Sequence, residues 1–432
     1  MKDFIQYIIR FLLGDDIPGE YIPAVGYTGD PRLFNKFSIV IRPSGFFDSD
    51  SYGKPTSIPE LPLQSIDDTP LLFGEAGEEM VGDTLVLHAD LVASTFFLIT
   101  RYEEMISRNI RDEHGRFPGK QSLPYRAGFL HRPIVEEYSV YLRNKLRQLG
   151  AVLPKEKQGI QKVYLTHDID APFYCRSWRN ILREAKNGQN ILTALKLKAG
   201  KVENDPYYTF PRIFAENERV KTALGKKRCK TICFFKAGGN TVQDRPVYKL
   251  TGKDIKNLLS LCKQHQVEVG LHSSYQAGKN PELISKEKKY LEASTGKKVH
   301  LNRHHFLACR EPEDLIALLK AGIDQDYTLG YADVAGFRLG TCRPVRWINP
   351  VTRKLTTLTL HPLTIMDCSL SEKKYMGLPY EEALTYSLGL IDRTARYGGD
   401  LVLLWHNTAF AEHEAGYLKQ LYSDLINKLA NE

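Results

Sequence analysis

No stretch of the sequence approaches the roughly 20 consecutive apolar residues that a membrane-spanning helix needs. The opening MKDFIQYIIRFLLGDDIPGE is interrupted by Arg10, carries acids on both sides and lacks a small-residue cleavage pattern. It predicts an amphipathic helix with Ile5, Ile8, Ile9, Leu12 and Leu13 on one side, not a signal peptide. Cysteine is scarce: the chain has seven, an odd number, and only Cys229 and Cys233 are close enough to share an ion, with no second pair after them. Free buried thiols in a reducing compartment are expected, which points to the cytoplasm. A long basic tail is also missing. The formal charge of +8 over 432 residues is modest, and basic residues alternate with acidic ones, as in HLNRHHFLACREPEDL, so no nucleic acid is expected as partner. There is no internal repeat, no low-complexity segment and no G-x-x-x-x-G-K-[ST] phrase. ALGKK and AGGN lack its glycine spacing and its hydroxyl after the lysine, which argues against phosphoryl transfer.

What is present is ordinary globular composition, 42% hydrophobic and 25% charged, in a chain long enough for two or three domains. Organisation changes near residue 160. Before it come strand-like FSIVI (Phe37 to Ile41), a Pro- and Ser-rich passage to Pro62, and strand-like TLVLH (Thr84 to His88). A helix beginning near Asp90 carries Leu91, Phe96, Phe97 and Ile99 and ends around RYEEM, where Glu103 and Glu104 beside Arg101 predict a wet face. DEHGRFPGK is a loop, and a helix from about Pro133 to Leu149 stops at Gly150. After the polar joint KEKQGIQK, strands and helices alternate. VYLTH, a basic helical stretch around Trp178 to Leu197, TICFFKA, a helix, VEVGLH, a helix, HHFLA, a helix, TLGYAD, TIMDCSL, a helix from Pro379 to Tyr397 and LVLLWH follow in order. Such alternation predicts an α/β domain with a mainly parallel sheet over about residues 160–430, preceded by a smaller mixed α+β domain over 1–155.

Reactive residues in such a sheet gather at the C-terminal ends of its strands. There the sequence places Asp168 and Asp170 after VYL, His272 after VEVGL, Arg303 and His305 at HHFL, and His406 after LVLLW, with Arg338 in GFRLGTCRP. Two carboxylates two apart on a strand face one space and repel unless a cation or proton lies between them. A lone histidine after an apolar strand is ordinarily a packed or capping residue. Repetition at several strand ends points instead to a site with oxygen and nitrogen ligands, a base and an acid, the set that metal-assisted hydrolysis requires.

VYLTHDIDA, VGLHSSYQAG, NRHHFL, GFRLGTCRP and LLWHN, in this order, resemble the polysaccharide deacetylase superfamily of NodB-like carbohydrate esterases. More narrowly, the SxFFLxxRYEE and HGRF phrases resemble a bacterial branch in which an N-terminal domain of unknown role precedes the catalytic one. The resemblance implies a deformed (β/α) barrel and removal of an acetyl group, N-acetyl before O-acetyl, from a sugar, an oligosaccharide or a nucleotide- or lipid-linked precursor. It puts Asp168 in the place of the general base, Asp170 in that of the metal-binding aspartate and His272 in that of a metal ligand. Arg303 matches the arginine that orients the base, and His406 the general acid. Leu404, or Trp405, matches the apolar wall near the acetyl methyl. Zinc is the first expected metal, with cobalt, nickel or iron able to occupy similar geometry.

This chain departs from the pattern at Gln276, where the family has a second histidine four residues after the first. An amide nitrogen is no ligand, so His305, on the same strand face as Arg303, is expected to replace it, while His304 points the other way. Arg338 and Asp333 have no firm counterpart and read equally as a structural ion pair. Tyr207 and Tyr208 read as a sugar-stacking wall or as a seal of their loop. A second class stays open, a non-catalytic carbohydrate-binding or assembly protein: Gln276 favours it, and retention of Asp168, Arg303 and His406 together opposes it.

Overall fold

The computed structural model describes residues 3–176, 181, 191–411 and 416–432. The basic stretch expected around Trp178 to Leu197 lies largely outside them, and helix Ile191–Ala199 covers its end. The strands, in chain order, are β1 (Val25–Tyr27), β2 (Ile39–Ile41), β3 (Gln64–Ile66), β4 (Thr69–Leu71), β5 (Gly74–Val81), β6 (Thr84–Ala89), β7 (Lys162–Ile169) and β8 (Cys229–Lys236). They continue with β9 (Glu268–Ser273), β10 (Leu301–His304), β11 (Gln325–Asp326), β12 (Val345–Asn349), β13 (Lys354–Leu360), β14 (Ile365–Met366) and β15 (Asp400–Leu404). One sheet of four strands runs β1-β2-β6-β5, β3 pairs with β4, and a sheet of nine runs β12-β13-β11-β10-β9-β8-β7-β15-β14. In the nine-stranded sheet every pairing is parallel except β12 with β13.

β7 is paired on both sides, with β8 and β15, and its period of two sorts its side chains between two environments. Val163, Leu165 and Ile169 join the main core, which includes Ile213, Val220, Leu421 and Leu425 of helices Phe210–Leu224 and Leu418–Ala430. Tyr164 joins a separate apolar cluster with Ile232, Phe234, Leu301, Tyr327, Val402 and Leu404. The sheet curves around that smaller cluster. Laid flat, the seven strand spacings from β13 to β14 would span about 34 Å at about 4.8 Å each, but the chain from Leu360 to Ile365 reaches only about 18 Å at full stretch. Backbone bonds follow this bridge from one sheet end to the other, from His361 N to Asp326 O (2.8 Å), Leu363 N to Leu329 O (3.1 Å) and Thr364 N to Val402 O (3.2 Å).

The first helix, Asp3–Leu13, buries Ile5, Ile8, Ile9, Leu12 and Leu13 as its periodicity predicts, and packs on helix Ile134–Gln148 and on β13. The wet face expected at Arg101, Glu103 and Glu104 is a correction. All three are buried, at 4%, 6% and 2% exposure. Arg101 sits at φ 60° between helices Leu91–Ile99 and Tyr102–Ile106, and its guanidinium grips Glu104 from three residues away. Arg338, 234 residues on, donates to both Glu104 oxygens at 3.0 and 2.8 Å. Local charge spacing announces solvent only when no distant cation answers it.

All seven cysteines are free thiols, and Cys229 and Cys233 belong to no metal-ligand cluster among the described residues. None of the helices described is long and apolar enough to cross a membrane.

Burial raises the Glu104 carboxyl, but Arg101 and Arg338 outweigh it and hold it at about 2, below the ordinary 4.5. Its contribution is therefore complete above about pH 4.5 and is lost as pH falls toward 2. Glu104→Gln leaves two buried guanidiniums without their anion. Urea unfolding at pH 7 is expected to show a loss of about 3–5 kcal/mol, and unchanged stability would show that the triad is not what joins the N-terminal segment to the sheet.

Candidate metal centre

Asp168 and Asp170 leave the end of β7, His272 lies near the end of β9, and Arg303 faces it across the parallel pairing with β10. His305 is not on the strand. It opens a short 3-10 turn whose next residues, Phe306 and Leu307, both take positive φ, 60° and 52°. His304 between them is extended (φ −75°, ψ 132°), so Arg303 and His305 reach the same side by alternation, and the strained turn begins only after His305. His304 faces away, its backbone N–H bonded to Thr328 Oγ1 at 3.0 Å and its ring against Asn302 at 3.1 Å. Burial pushes its imidazole down to about 3, so it is neutral.

Three atoms converge. Asp170 Oδ1 lies 3.1 Å from His272 Nε2 and 3.2 Å from His305 Nε2. His272 Nδ1 is 2.9 Å from the Arg303 carbonyl, which only accepts, so Nδ1 carries the hydrogen and the neutral ring offers a bare lone pair at Nε2. The His305 Nδ1 donates toward Asp244 Oδ1 at 3.4 Å, with the same consequence at its Nε2. Asp170 Oδ1 and His272 Nε2 are buried yet have no hydrogen-bond partner, although 29% of the Asp170 side chain remains exposed. Lone pairs of two imidazoles and a carboxylate aimed at one point are what a divalent cation requires, and the three residues fit that group. Burial raises Asp170, but His305 and His272 outweigh it and hold the carboxyl well below its ordinary value. Burial lowers His305 while Asp170 and Asp244 raise it, with a net upward shift.

Beside this point stand two polar pairs. Arg303 is fully buried over the Phe234 ring and donates from its NH1 to Asp168 Oδ1 (3.0 Å) and Thr166 Oγ1 (2.7 Å) and from Nε to Tyr327 O (3.0 Å). Asp168 Oδ2 is 3.5 Å from His272 Nε2. Across the opening, His406 Nε2 is 3.6 Å from Asp170 Oδ2, and its Nδ1 donates to Asp367 Oδ1 at 2.8 Å. Burial lowers His406, but Asp367 outweighs it and raises the imidazole well above its ordinary value.

The other predicted positions separate. Gln276 is turned aside, its amide oxygen accepting from Asn240 N at 3.2 Å. Asp333 accepts from Gly119 N (2.7 Å) and Lys120 N (3.1 Å), and Arg338 pairs with Glu104, so both join the N-terminal segment to the sheet. Only Arg338 forms the structural ion pair expected of them; Asp333 is held by backbone N–H groups alone. Leu404 belongs to the inner apolar cluster, and Trp405 is fully buried 5.3 Å from the Tyr422 ring. Tyr207 packs edge-on to Tyr174 at 5.1 Å, and Tyr208 lies near-parallel to Phe173 at 6.3 Å.

Two residues escaped the sequence reading. Asp367 directly follows β14, in the run TIMDCSL, and the strand-end rule applied there would have found it. Asp244 lies in a loop with no periodic signal. It is completely buried, and a Cβ on Gly239 (φ 86°) would come within 2.3 Å of its carboxyl carbon, so the AGGN glycine makes room for it.

A family model described as Family of unknown function (DUF7033) matches residues 6–151. No curated protein matches the chain. Among solved structures, one described as a polysaccharide deacetylase from Mycobacterium smegmatis is 12% identical over 65% of this chain and 92% of its own, with a TM-score of 0.38. A mutant CE4 family pseudoenzyme is 12% identical over 65% and 69%, TM-score 0.28, and an allantoinase 10% identical over 62% and 85%, TM-score 0.34. The functional reading therefore stands on the residues of this chain.

Titration of zinc into metal-free protein distinguishes the two candidates for the third ligand. His305→Ala is expected to weaken binding by about 100-fold or more, and Gln276→Ala to change it less than about threefold. The reverse ranking would remove His305 from the ion's coordination.

Proposed function

We propose that this chain is a metal-dependent hydrolase that removes an acetyl group, N-acetyl in preference to O-acetyl, from a carbohydrate or sugar-linked precursor. The carrying observation is the convergence of Asp170, His272 and His305 between a carboxylate held by arginine and an imidazole held by carboxylate. Asp170, His272 and His305 would hold the ion, zinc by preference for two nitrogens and one oxygen. When bound, it supplies positive charge that polarises an acyl carbonyl and acidifies water.

The chain's own groups do the rest. Arg303 fixes the Asp168 carboxylate, leaving Oδ2 turned toward the ligand cluster to take a proton from the attacking water. With its Nδ1 hydrogen committed to Asp367, the imidazolium of His406 holds a second proton at Nε2, on the side facing Asp170, and delivers it to the departing amine.

The same reading takes residues 160–430 as the catalytic domain and residues 1–155 as a smaller preceding one. The bonds of His361, Leu363 and Thr364 to opposite ends of the sheet support a deformed barrel. Free thiols support a reducing, cytoplasmic setting and soluble or lipid-linked precursors as substrates.

Acetate release from a panel of N-acetylated oligosaccharides and nucleotide sugars, with and without chelator, tests the proposal. Asp168→Asn is expected to keep bound zinc and lose turnover by about 10²- to 10⁴-fold, whereas Asp170→Ala loses both. Equal zinc loss in the two variants would show the roles wrongly divided. Zinc bound at full stoichiometry with no acetate released from any substrate would favour a carbohydrate-binding role.

A further inference from the structure

The RYEE and HGRF phrases of the N-terminal segment take no part in the chemistry above, yet both end at the turn that carries His305. Arg101 NH2 donates to Cys309 O at 3.1 Å. Arg116 NH1 donates to Phe306 O at 2.7 Å. The Phe306 carbonyl lies within the turn and the Cys309 carbonyl two residues after its end. Arg116 is itself 7% exposed and firmly held, by Asp112 Oδ2 at 2.8 Å from its Nε and by the Tyr375 hydroxyl at 3.2 Å. Asp112 also accepts from the backbone N–H of His114 and Arg116, which folds the phrase into a compact loop. The His114 ring lies 4.8 Å from the Phe306 ring, and Arg310 Nε donates to His114 O at 3.0 Å.

A phenylalanine and a leucine in succession at positive φ are costly and persist only where surroundings over-determine them. His304 is extended (φ −75°, ψ 132°), which sets His305 on the Arg303 side, and the positive φ of Phe306 and Leu307 then folds the chain with the Phe306 ring 4.7 Å from the His305 ring. Relaxed to ordinary φ, the turn would lose that backing. The restraint comes from outside the sheet.

We propose that Arg116 is a positioning residue of the metal centre: by holding the Phe306 carbonyl it fixes the turn that keeps the Phe306 ring against the His305 imidazole, so that the N-terminal segment is a structural part of the site. This rests on the proposed reading of Asp170, His272 and His305 as the ligand set. It gives the matched segment of unknown function a definite task, namely ligand placement across the joint.

The test combines zinc affinity with a metal-free readout. Arg116→Met keeps the length and apolar stem of the side chain but removes its donors. Competition with a chromophoric chelator is expected to show zinc binding weakened about 10- to 100-fold, the range for groups that orient a ligand, with Arg116→Lys partly restoring it. In a His305→Ala background the same substitution is expected to have no further effect. In metal-free protein, hydrogen exchange at the Ala308 and Cys309 amides is expected to accelerate at least about tenfold while amides of β7 and β8 keep their rates. Unchanged zinc affinity, an equal loss in the His305→Ala background, or uniformly faster exchange across the sheet would each overturn the proposal. If the wild-type protein binds no zinc, the ligand reading fails by itself, and the exchange pattern still decides whether Arg116 holds the turn: acceleration confined to it supports that role, and none overturns it.

Discussion

A neutral imidazole has one hydrogen to give, and in His272 and His305 it is already given. The Arg303 carbonyl takes it from one ring and Asp244 from the other, so both present lone pairs to a carboxylate that has none to spare. Such an arrangement repels itself unless a proton or a cation occupies its centre. The rest of the C-terminal edge is organised around that need. Arg303 shows the economy of the parallel register: its backbone carbonyl fixes the tautomer of His272, while its side chain turns inward to orient Asp168.

Burial makes the arrangement specific. Asp168, His272, Arg303 and His305 are each no more than 3% exposed, so every charge there is answered by a neighbour and not by water. The same rule governs the joint between the N-terminal segment and the large sheet, where Glu104 stands between Arg101 and Arg338 and where Asp333 accepts two backbone N–H groups from the segment. The contacts of Arg338 and Asp333 link residues more than 200 positions apart. They fix the segment against the loops that rim the site.

Much of this was legible in sequence because strands and helices declare themselves locally. Apolar alternation located β7, β8, β9 and β15, and the parallel sheet then placed their last residues at one edge. The opposite directions of Arg303 and His304 followed from a period of two. His305 lies one residue beyond β10 yet keeps the alternation that sets it beside Arg303, because His304 is extended; the turn that follows, with Phe306 and Leu307 at positive φ, leaves no periodic mark. Asp244 lies in a loop and so was invisible, and the burial of Glu104 was misread because Arg338 is remote in sequence. The curvature of the sheet depends on a four-residue bridge between β13 and β14, whose meaning emerges only once both strands have their partners.

Anomalous diffraction at the zinc edge, on crystals grown with the metal, addresses the central claim directly. The account predicts a single peak at about 2.0–2.2 Å from one Asp170 oxygen, His272 Nε2 and His305 Nε2, with Gln276 still bonded to Asn240. A peak coordinated by the Gln276 amide oxygen with His305 outside its reach, or full zinc loading with no peak among these three residues, would contradict it.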